Sequence, residues 1–451
     1  MKKYDKKDLM LKEKNMYKAF IILALPVLGS NLLKSLHDIV DTYFIGGMEN
    51  SVNAQAGISI SWPLINILLA FNIGLSVAGV AVISQLLGAG KEKEAKKYAG
   101  MLLSLALILG VVVNILLFIL APGVMKLMGA EGETLRCAVI YLRIRAFEMT
   151  FVFIFSVFQA IRQAKGDTIT PVILSTIAVI LNIILTGIFI KVLGMGIEGA
   201  ALSTVIGQAA IAPVCLYKIF SKREEFCVEK ADMVLEKENL KKLVSLALPS
   251  AASQALSSLG FLILQAFILD YGDVVASAFS IGNKVSNLLL MPTMAVGSIL
   301  AAYVGQNIGA GNKQRAMKSY KVGRNISFMV SVIGCIIIFP FREKCIELLS
   351  NDAQTIEAGV EYVFWVLLTQ PLMALFQNFL GVFNGSGNTK YSFIIASARL
   401  WVIRLPLILF FKNFTDIGRS GIWYAMVISN FIILFVGKML FRKVDFEAKI
   451  K

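Results

Sequence analysis

The chain has 451 residues, of which 57% are apolar and 16% charged, with a mean hydropathy of +0.74 and a formal net charge of +15. Soluble domains carry about 25% charged residues, and a chain this apolar would expose large apolar patches in water. The composition therefore excludes a soluble enzyme, and it indicates a membrane protein whose positive charge lies in loops rather than on a nucleic-acid-binding surface.

Long apolar windows follow one another along the whole chain. A spanning helix needs about 20 consecutive, mostly apolar residues. Six windows precede a hydrophilic segment at 221–242, and they cover 17–44, 54–87, 98–121, 137–163, 170–192 and 197–218. Six more follow it, at 243–269, 275–308, 320–341, 357–384, 391–412 and 420–441. The prediction is an all-α polytopic membrane protein with twelve transmembrane helices.

Four short motifs of the first half return in the second half. In chain order the pairs are Ala24–Pro26 with Ala247–Pro249, Gln85–Gly90 with Gln306–Gly311, Gly166–Thr168 with Gly387–Thr389, and Gly196 and Gly199 with Gly418 and Gly421. Offsets that agree this closely indicate duplication of a six-helix unit. Because six is even, both copies enter from the same side, which predicts two six-helix lobes related by pseudo-two-fold symmetry. The predicted domains are an amino-terminal lobe at 1–220, a cytoplasmic linker at 221–242 and a carboxy-terminal lobe at 243–451.

Positive side chains are concentrated on one side of these spans. Cytoplasmic loops retain Lys and Arg. The termini, the central loop and alternate loops hold 31 of the 44 Lys and Arg residues, and the opposite loops hold seven. The distribution predicts a multi-pass protein of the cell membrane with both termini cytoplasmic.

Seven short segments together resemble the multidrug and toxic compound extrusion (MATE) transporters, which belong to the multidrug/oligosaccharidyl-lipid/polysaccharide flippase superfamily. They are Leu23–Pro26, Val40–Thr42, Ile45–Gly47, Leu87–Gly90, Gly166–Thr168, Leu181–Leu185 and Gly199–Thr204. The resemblance covers nearly the whole chain. It implies export of amphipathic, often cationic compounds, driven by inward movement of H⁺ or Na⁺, with no cofactor and no enzymatic reaction.

The first span carries a group of charged side chains. A charge at the centre of a bilayer costs at least about 2.5–3.5 kcal/mol, so retained charges usually face a cavity or a partner. Asp38 and Asp41 share a helix face, with Lys34 one turn before Asp38 and His37 beside it. We expect Asp41 to bind and release the coupling cation, with Lys34, His37 and Asp38 in support. The alternative is a Lys34–Asp38 ion pair, with Asp41 capping the helix or bonded to a neighbour.

The resemblance also implies that Asn182 and Thr204 supply oxygen ligands to the cation, while interhelical hydrogen bonding is their alternative role. Four residues after Asn182, where relatives often carry Asp, the chain has Thr186. Without that carboxylate, the site is either a proton relay through one Asp or a Na⁺ site of lower charge at Asp41, Asn182 and Thr204.

Other charged positions in the spans have structural interpretations. Glu148 is expected to pair with Arg145 at the outer end of the fourth span. Arg399 and Arg404 are five residues apart, so they should lie on different helix faces and either snorkel or bond helix-end carbonyls. Acids that some relatives carry in the second half are missing from Gln254–Leu259 and Met373–Gln377, so coupling is expected in the amino half.

The sequence therefore predicts a cation-coupled (H⁺ or Na⁺) antiporter that works by alternating access. Its expected partners are a small amphipathic substrate, H⁺ or Na⁺ and the lipid bilayer, with no nucleic acid, and we expect a monomer. One alternative is a lipid-linked oligosaccharide flippase, against which the few central arginines count. The other is a receptor or scaffold without transport, against which the duplicated halves and the intramembrane aspartates count.

Thiol labelling tests the orientation. A cysteine in place of Ser221 should resist an impermeant thiol reagent added to intact cells and react after permeabilisation, because the central loop holds seven of the clustered positive residues. The unmodified chain, with its five cysteines, is the control for background labelling. Labelling of the Ser221→Cys variant in intact cells would reverse the predicted orientation.

Overall fold

The computed structural model describes residues 6–48, 51–350 and 352–449, without the side chains of residues 6–8, 38, 39, 42, 51 and 52. The regular structure of these residues is entirely helical. The α-helices are α1 (Lys6–Leu11), α2 (Met16–Gly46), α3 (Ser51–Gly88), α4 (Glu92–Leu127), α5 (Gly132–Ala164), α6 (Ile169–Gly187), α7 (Gly196–Phe220), α8 (Lys237–Leu269), α9 (Asp273–Gly309), α10 (Lys313–Ile338), α11 (Arg342–Glu347), α12 (Ala353–Gly385), α13 (Thr389–Ser397), α14 (Leu405–Phe414) and α15 (Ser420–Phe441).

Twelve helical runs in the described part of the chain are long and apolar enough to cross a membrane. This confirms the prediction of an all-α protein with twelve transmembrane helices. A π-helical turn at Ile188–Val192 extends α6, and another at Ala398–Arg404 joins α13 to α14 within one span. Several helices begin with charged turns that hydropathy does not detect, so α8 already starts at Lys237 rather than at 243.

The repeated loop motifs have the same backbone conformation in both halves. Gly90 and Gly311 have φ of 74° and 72°, and Gly166 and Gly387 have φ of 81° and 72°. Only glycine adopts this left-handed region without a steric cost from Cβ. The duplicated motifs are therefore turns that require glycine.

Residues 29–251 form one compact unit, here called the amino unit. Its central helix is α5, which packs on α3, α4 and α7 around a buried apolar core. The segment between α7 and α8 is fastened to this unit, because Arg162 of α5 lies 2.9 Å from Glu224 and Ser104 donates to the carbonyl of Met233 at 2.7 Å. The hydrogen bonds from Arg162 hold the pKa of Glu224 below its usual range.

Residues 1–28 and 252–451 form the second compact unit, here called the carboxyl unit. Small residues allow α9 and α12 to approach closely, since Gly297 and Ala301 lie against Gly381 and Gly385 at a spacing of four on both helices. A Cβ atom added to Gly381 would lie 2.5 Å from the carbonyl oxygen of Gly297. These glycines therefore set the packing distance of the two central helices of the unit.

Contacts divide the chain at different points from the sequence repeat. The helices α2 and α8 each contribute to both units, and the divisions fall after Leu28 and after Ala251. Each division lies two residues beyond a proline, Pro26 or Pro249. Proline removes a backbone hydrogen bond of the helix, so both helices are weakened next to the division.

The segment before α2 is anchored to the carboxyl unit. Arg315 donates hydrogen bonds to the carbonyl oxygens of Met10 and Glu13 at 3.2 and 2.8 Å, and to the hydroxyl of Tyr303 at 2.9 Å. Asn307 donates to the same Met10 carbonyl at 3.2 Å, and the Met10 side chain is fully buried. One guanidinium thus fixes the path of the chain into α2.

Replacing Arg315 with Ala should release this segment, because hydrogen bonds to a charged group contribute about 1.5–3 kcal/mol each. Limited proteolysis with trypsin should then cleave after Lys12 and Lys14 several-fold faster. Lys318→Ala, which removes an exposed cation from the same helix, is the matched control and should cleave like the unmodified chain. If the Arg315 variant and the control are cleaved at equal rates, the apolar contacts of Met10 are sufficient to hold this segment in place without Arg315.

Candidate functional site

Three helices of the amino unit bring a polar cluster together. His37 and Asp41 are four residues apart on α2, and Asn182 and Thr186 are four apart on α6, so each pair shares a helix face. Thr204 joins from α7 and accepts a hydrogen bond from the Asn182 amide at 3.1 Å. The structure thus brings together the four residues predicted for cation coupling, Asp41, Asn182, Thr186 and Thr204, with His37 beside them.

Asn182 lies at the centre of the cluster and is 3% exposed. Its amide nitrogen donates to Thr204 and, at 3.5 Å, to Ser203. Its amide oxygen lies 2.6 Å from Nε2 of His37. Because an amide oxygen only accepts, Nε2 carries the hydrogen and donates it. The buried amide therefore has partners on both sides and holds the His37 ring in place.

The Asp41 carboxylate lies beside His37 and Thr186. Its Oδ2 lies 3.4 Å from Nε2 of His37, and its Oδ1 accepts a hydrogen bond from Thr186 Oγ1 at 3.5 Å. The side chain is about 20% exposed. It therefore lies next to the only histidine of the chain, and part of its surface is accessible.

Ser203 belongs to the cluster, although the sequence did not indicate it. Its Oγ lies 2.7 Å from Thr186 Oγ1 and is buried. Adjacent helix residues do not share a face, so the motif ending in Thr204 predicts only one of the two hydroxyls at the site. Both reach it because both also donate to the carbonyl of Ala200, at 2.8 and 3.1 Å.

The predicted pair between Lys34 and Asp38 lies partly outside the described residues. Lys34 is exposed on α2, and the side chain of Asp38 is not described. The supporting role assigned to these two residues therefore stays a prediction.

A buried carboxylate outside the cluster lies close to it. Glu148 of α5 is 4% exposed, and its Oε2 is 2.8 Å from Nε of Arg145, which confirms the predicted ion pair. The location predicted for this pair, at the outer end of the span, was wrong. Glu148 is at the middle of α5 (Gly132–Ala164), close enough to His37 for an electrostatic interaction. The helix starts earlier than its apolar window, which explains the error.

A cavity of about 1140 Å³ opens beside the cluster, at the end of the amino unit where α2 ends and α7 begins. Phe44 lines it and packs on Gly187, next to Thr186, since a Cβ atom on Gly187 would lie 3.3 Å from the Phe44 ring. Lys191, also in the lining, lies over the rings of Tyr43 and Phe44 at 5.4 and 5.2 Å. The Phe44 ring therefore lies between this cavity and Gly187, the residue after Thr186.

The oxygens of Asp41, Asn182 and Thr204 are the ligands that the cluster would offer to a cation. The oxygen of Asn182 accepts the short hydrogen bond from His37. Across residues 6–48, 51–350 and 352–449, no three His, Cys, Asp or Glu side chains form a group that could hold a metal ion.

The contacts of Arg399 and Arg404 in the carboxyl unit are not those predicted from the sequence. Arg404 is 4% exposed and donates to the side chains of Ser429 and Asn430 at 3.0 and 2.8 Å. Arg399 lies over the ring of Phe376, 4.7 Å from its centre. Snorkelling or bonding to helix-end carbonyls was therefore the wrong expectation, because the π-helical turn that contains both residues turns them into the unit.

Known proteins resemble this chain over almost its full length. The "Probable multidrug resistance protein NorM" of Thermotoga maritima is 29% identical over 94% of this chain and 91% of its own. The "Multidrug export protein MepA" of Staphylococcus haemolyticus is 25% identical over 97% of this chain and 95% of its own. An outward-facing structure of a multidrug resistance MATE family transporter of the MOP superfamily matches 98% of both chains, with a TM-score of 0.92 and 23% identity.

The MatE family model matches the chain twice, at residues 26–188 and 249–410. The two matches cover well over half of the chain and fall one in each predicted half, in agreement with the duplication. The MepA relative is named as an export protein, and the structural match as a transporter. The chain therefore belongs to the MatE family of multidrug and toxic compound extrusion transporters.

Proposed function

We propose that this protein is a proton-coupled antiporter that exports small amphipathic compounds, and that His37 and Asp41 together bind the coupling proton. The observation that carries the proposal is the position of His37 Nε2, 2.6 Å from the Asn182 oxygen and 3.4 Å from the Asp41 carboxylate. His37 is the only histidine of the chain. A histidine titrates nearest to physiological pH of all unperturbed side chains, and here it lies beside the carboxylate that the resemblance implicates.

Thr186 supports protons over Na⁺ as the coupling ion. Its hydroxyl bonds Asp41, Asn182 and Ser203, at the position where, by the resemblance, relatives often carry Asp. A hydroxyl stabilises one carboxylate without adding negative charge. Among the described side chains, Asp41 is then the one carboxylate of the cluster, which suits a single proton better than Na⁺.

The proposed cycle is an exchange at the amino unit. A proton that enters from outside neutralises Asp41, and a cationic substrate group stabilises its anion, so the two compete for one charge. Alternating access then couples inward movement of the proton to outward movement of the substrate. The multidrug export named for similar proteins supports a broad range of amphipathic substrates.

Asp41→Asn should abolish proton-driven efflux, because it keeps the shape of the side chain and removes the titrating group. His37→Gln should lower the efflux rate by about tenfold, because it removes a hydrogen-bond partner worth about 1.5–3 kcal/mol to a charged group. The measurement is dye efflux from proteoliposomes under an imposed pH gradient. Asp416→Asn, the same change at an exposed loop carboxylate, is the control and should be fully active. Full activity of the Asp41→Asn variant would refute the proposal.

Thr186→Asp should shift the coupling ion towards Na⁺, because it adds a hard anionic ligand next to Asp41 and Asn182. Efflux driven by a Na⁺ gradient at fixed pH should rise at least several-fold above that of the unmodified protein. Thr186→Asn, of similar size and without charge, is the control and should show no Na⁺ response. Strong Na⁺-driven efflux by the unmodified protein, with no response to a pH gradient, would show that Thr186 has been misinterpreted.

A further inference from the structure

Three cations, Lys284, Arg399 and Arg404, lie well inside the spans of the carboxyl unit. The acidic residues of this half lie in loops or within about three turns of a helix end, and the one farthest into a span, Glu361, is 3.0 Å from Nε of Arg419. Intramembrane cations usually face an acid, a backbone carbonyl or an aqueous cavity, because an uncompensated charge is costly in hydrocarbon. The three cations of this unit therefore need compensation of another kind.

Neutral polar groups compensate the positive charge of Arg404. It is buried, and its Nε and Nη2 donate to Ser429 and Asn430. These bonds tie the π-helical turn to α15, and they assign Arg404 a structural role.

Arg399 lacks such compensation. The hydrogen bond that the structure gives it runs from Nη1 to the sulfur of Met373, a weak acceptor, at 3.0 Å. Its Nε is buried and has no hydrogen-bond partner among the described residues. The Phe376 ring supports one face of the guanidinium, which leaves the N–H edge as the part that can bind a ligand. A planar guanidinium edge fits a carboxylate or a phosphate through two parallel hydrogen bonds.

Lys284 provides a second cation at a similar level of the unit. Gln370 of α12, three residues before Met373, donates to the carbonyl of Ser286, two residues after Lys284 on α9. Lys284 is exposed eleven residues into α9, well away from the helix ends. An exposed cation at this depth is stable next to water or an anionic ligand, and not next to lipid tails.

We propose that Arg399, assisted by Lys284, binds the anionic group of the exported compound, a carboxylate or a phosphate. The substrate class is then an amphipathic zwitterion, with its apolar part beside Phe376 and Met373. The claim that the ligand is exported rests on the proposed function, whereas binding itself does not.

Binding of a matched dye pair tests this site. Rhodamine B carries a free carboxylate, and its methyl ester keeps the cation and loses the anion. Binding of both dyes to the full chain in phosphatidylcholine nanodiscs is followed by fluorescence anisotropy. The acid should bind more tightly than the ester. Arg399→Gln should lower the affinity for the acid by about tenfold or more and change the affinity for the ester by less than about twofold, because only the acid loses charged bidentate hydrogen bonds.

Three further variants keep the test decisive. Lys284→Gln should also lower the affinity for the acid and not for the ester, but by a smaller factor than Arg399→Gln. Arg399→Lys should still bind the acid more tightly than the ester, because it keeps the positive charge. Lys390→Gln, at an exposed position at the start of the same span, is the control and should change neither dye. Size-exclusion chromatography identifies any variant that fails to fold, and the other two site variants then provide the measurement.

The proposed site is wrong if the unmodified protein binds acid and ester with equal affinity, or if Arg399→Gln lowers the affinity for both dyes by the same factor. If phosphatidylglycerol binds in an Arg399-dependent manner while the dyes are not distinguished, the ligand is a lipid headgroup and the assignment to an exported compound is wrong. The assay uses no ion gradient. Failure of proton-driven efflux would therefore refute the proposed function alone, and failure of dye discrimination would refute this site alone.

Discussion

A charged side chain at the centre of a bilayer costs at least about 2.5–3.5 kcal/mol, and the distribution of charge in this protein follows from that cost. Most Lys and Arg residues lie in loops, termini and the helix turns next to them, and in such turns Arg162 and Arg315 fix connecting segments to helix ends. Each of the few charges left inside the spans needs nearby groups that compensate it. The groups around these charges identify the parts of the protein where a ligand can bind.

The two units solve this problem with opposite charges. The amino unit places Asp41 beside a histidine and a threonine hydroxyl, and pairs Glu148 with Arg145. The carboxyl unit keeps Arg399 and Lys284 inside its spans, and Glu361, the acid farthest into one of these spans, pairs with Arg419. The proton site proposed in one unit and the anion site proposed in the other are independent proposals, each with its own test.

Part of the site followed from sequence, and part of it did not. Asp41, Asn182, Thr186 and Thr204 were identified through motifs, and the structure brings them together. Ser203 was missed because helical periodicity assigns adjacent residues to different faces, whereas both hydroxyls bond one carbonyl. The proximity of Glu148 to His37 was missed because they lie on helices whose relative rotation has no local signature.

The sequence by itself determined the twelve spans, the duplicated halves and the glycine turns, because these depend on local properties: the length of apolar runs, the position of charge and the φ angle that only glycine adopts freely. The tertiary structure alone decided which side chains meet. The short bond between His37 and Asn182 joins residues 145 positions apart, and Arg399 meets Phe376 only through a π-helical turn. A period of 3.6 residues gives the face of a helix on which a residue lies, but the packing of neighbouring helices decides what that face contacts.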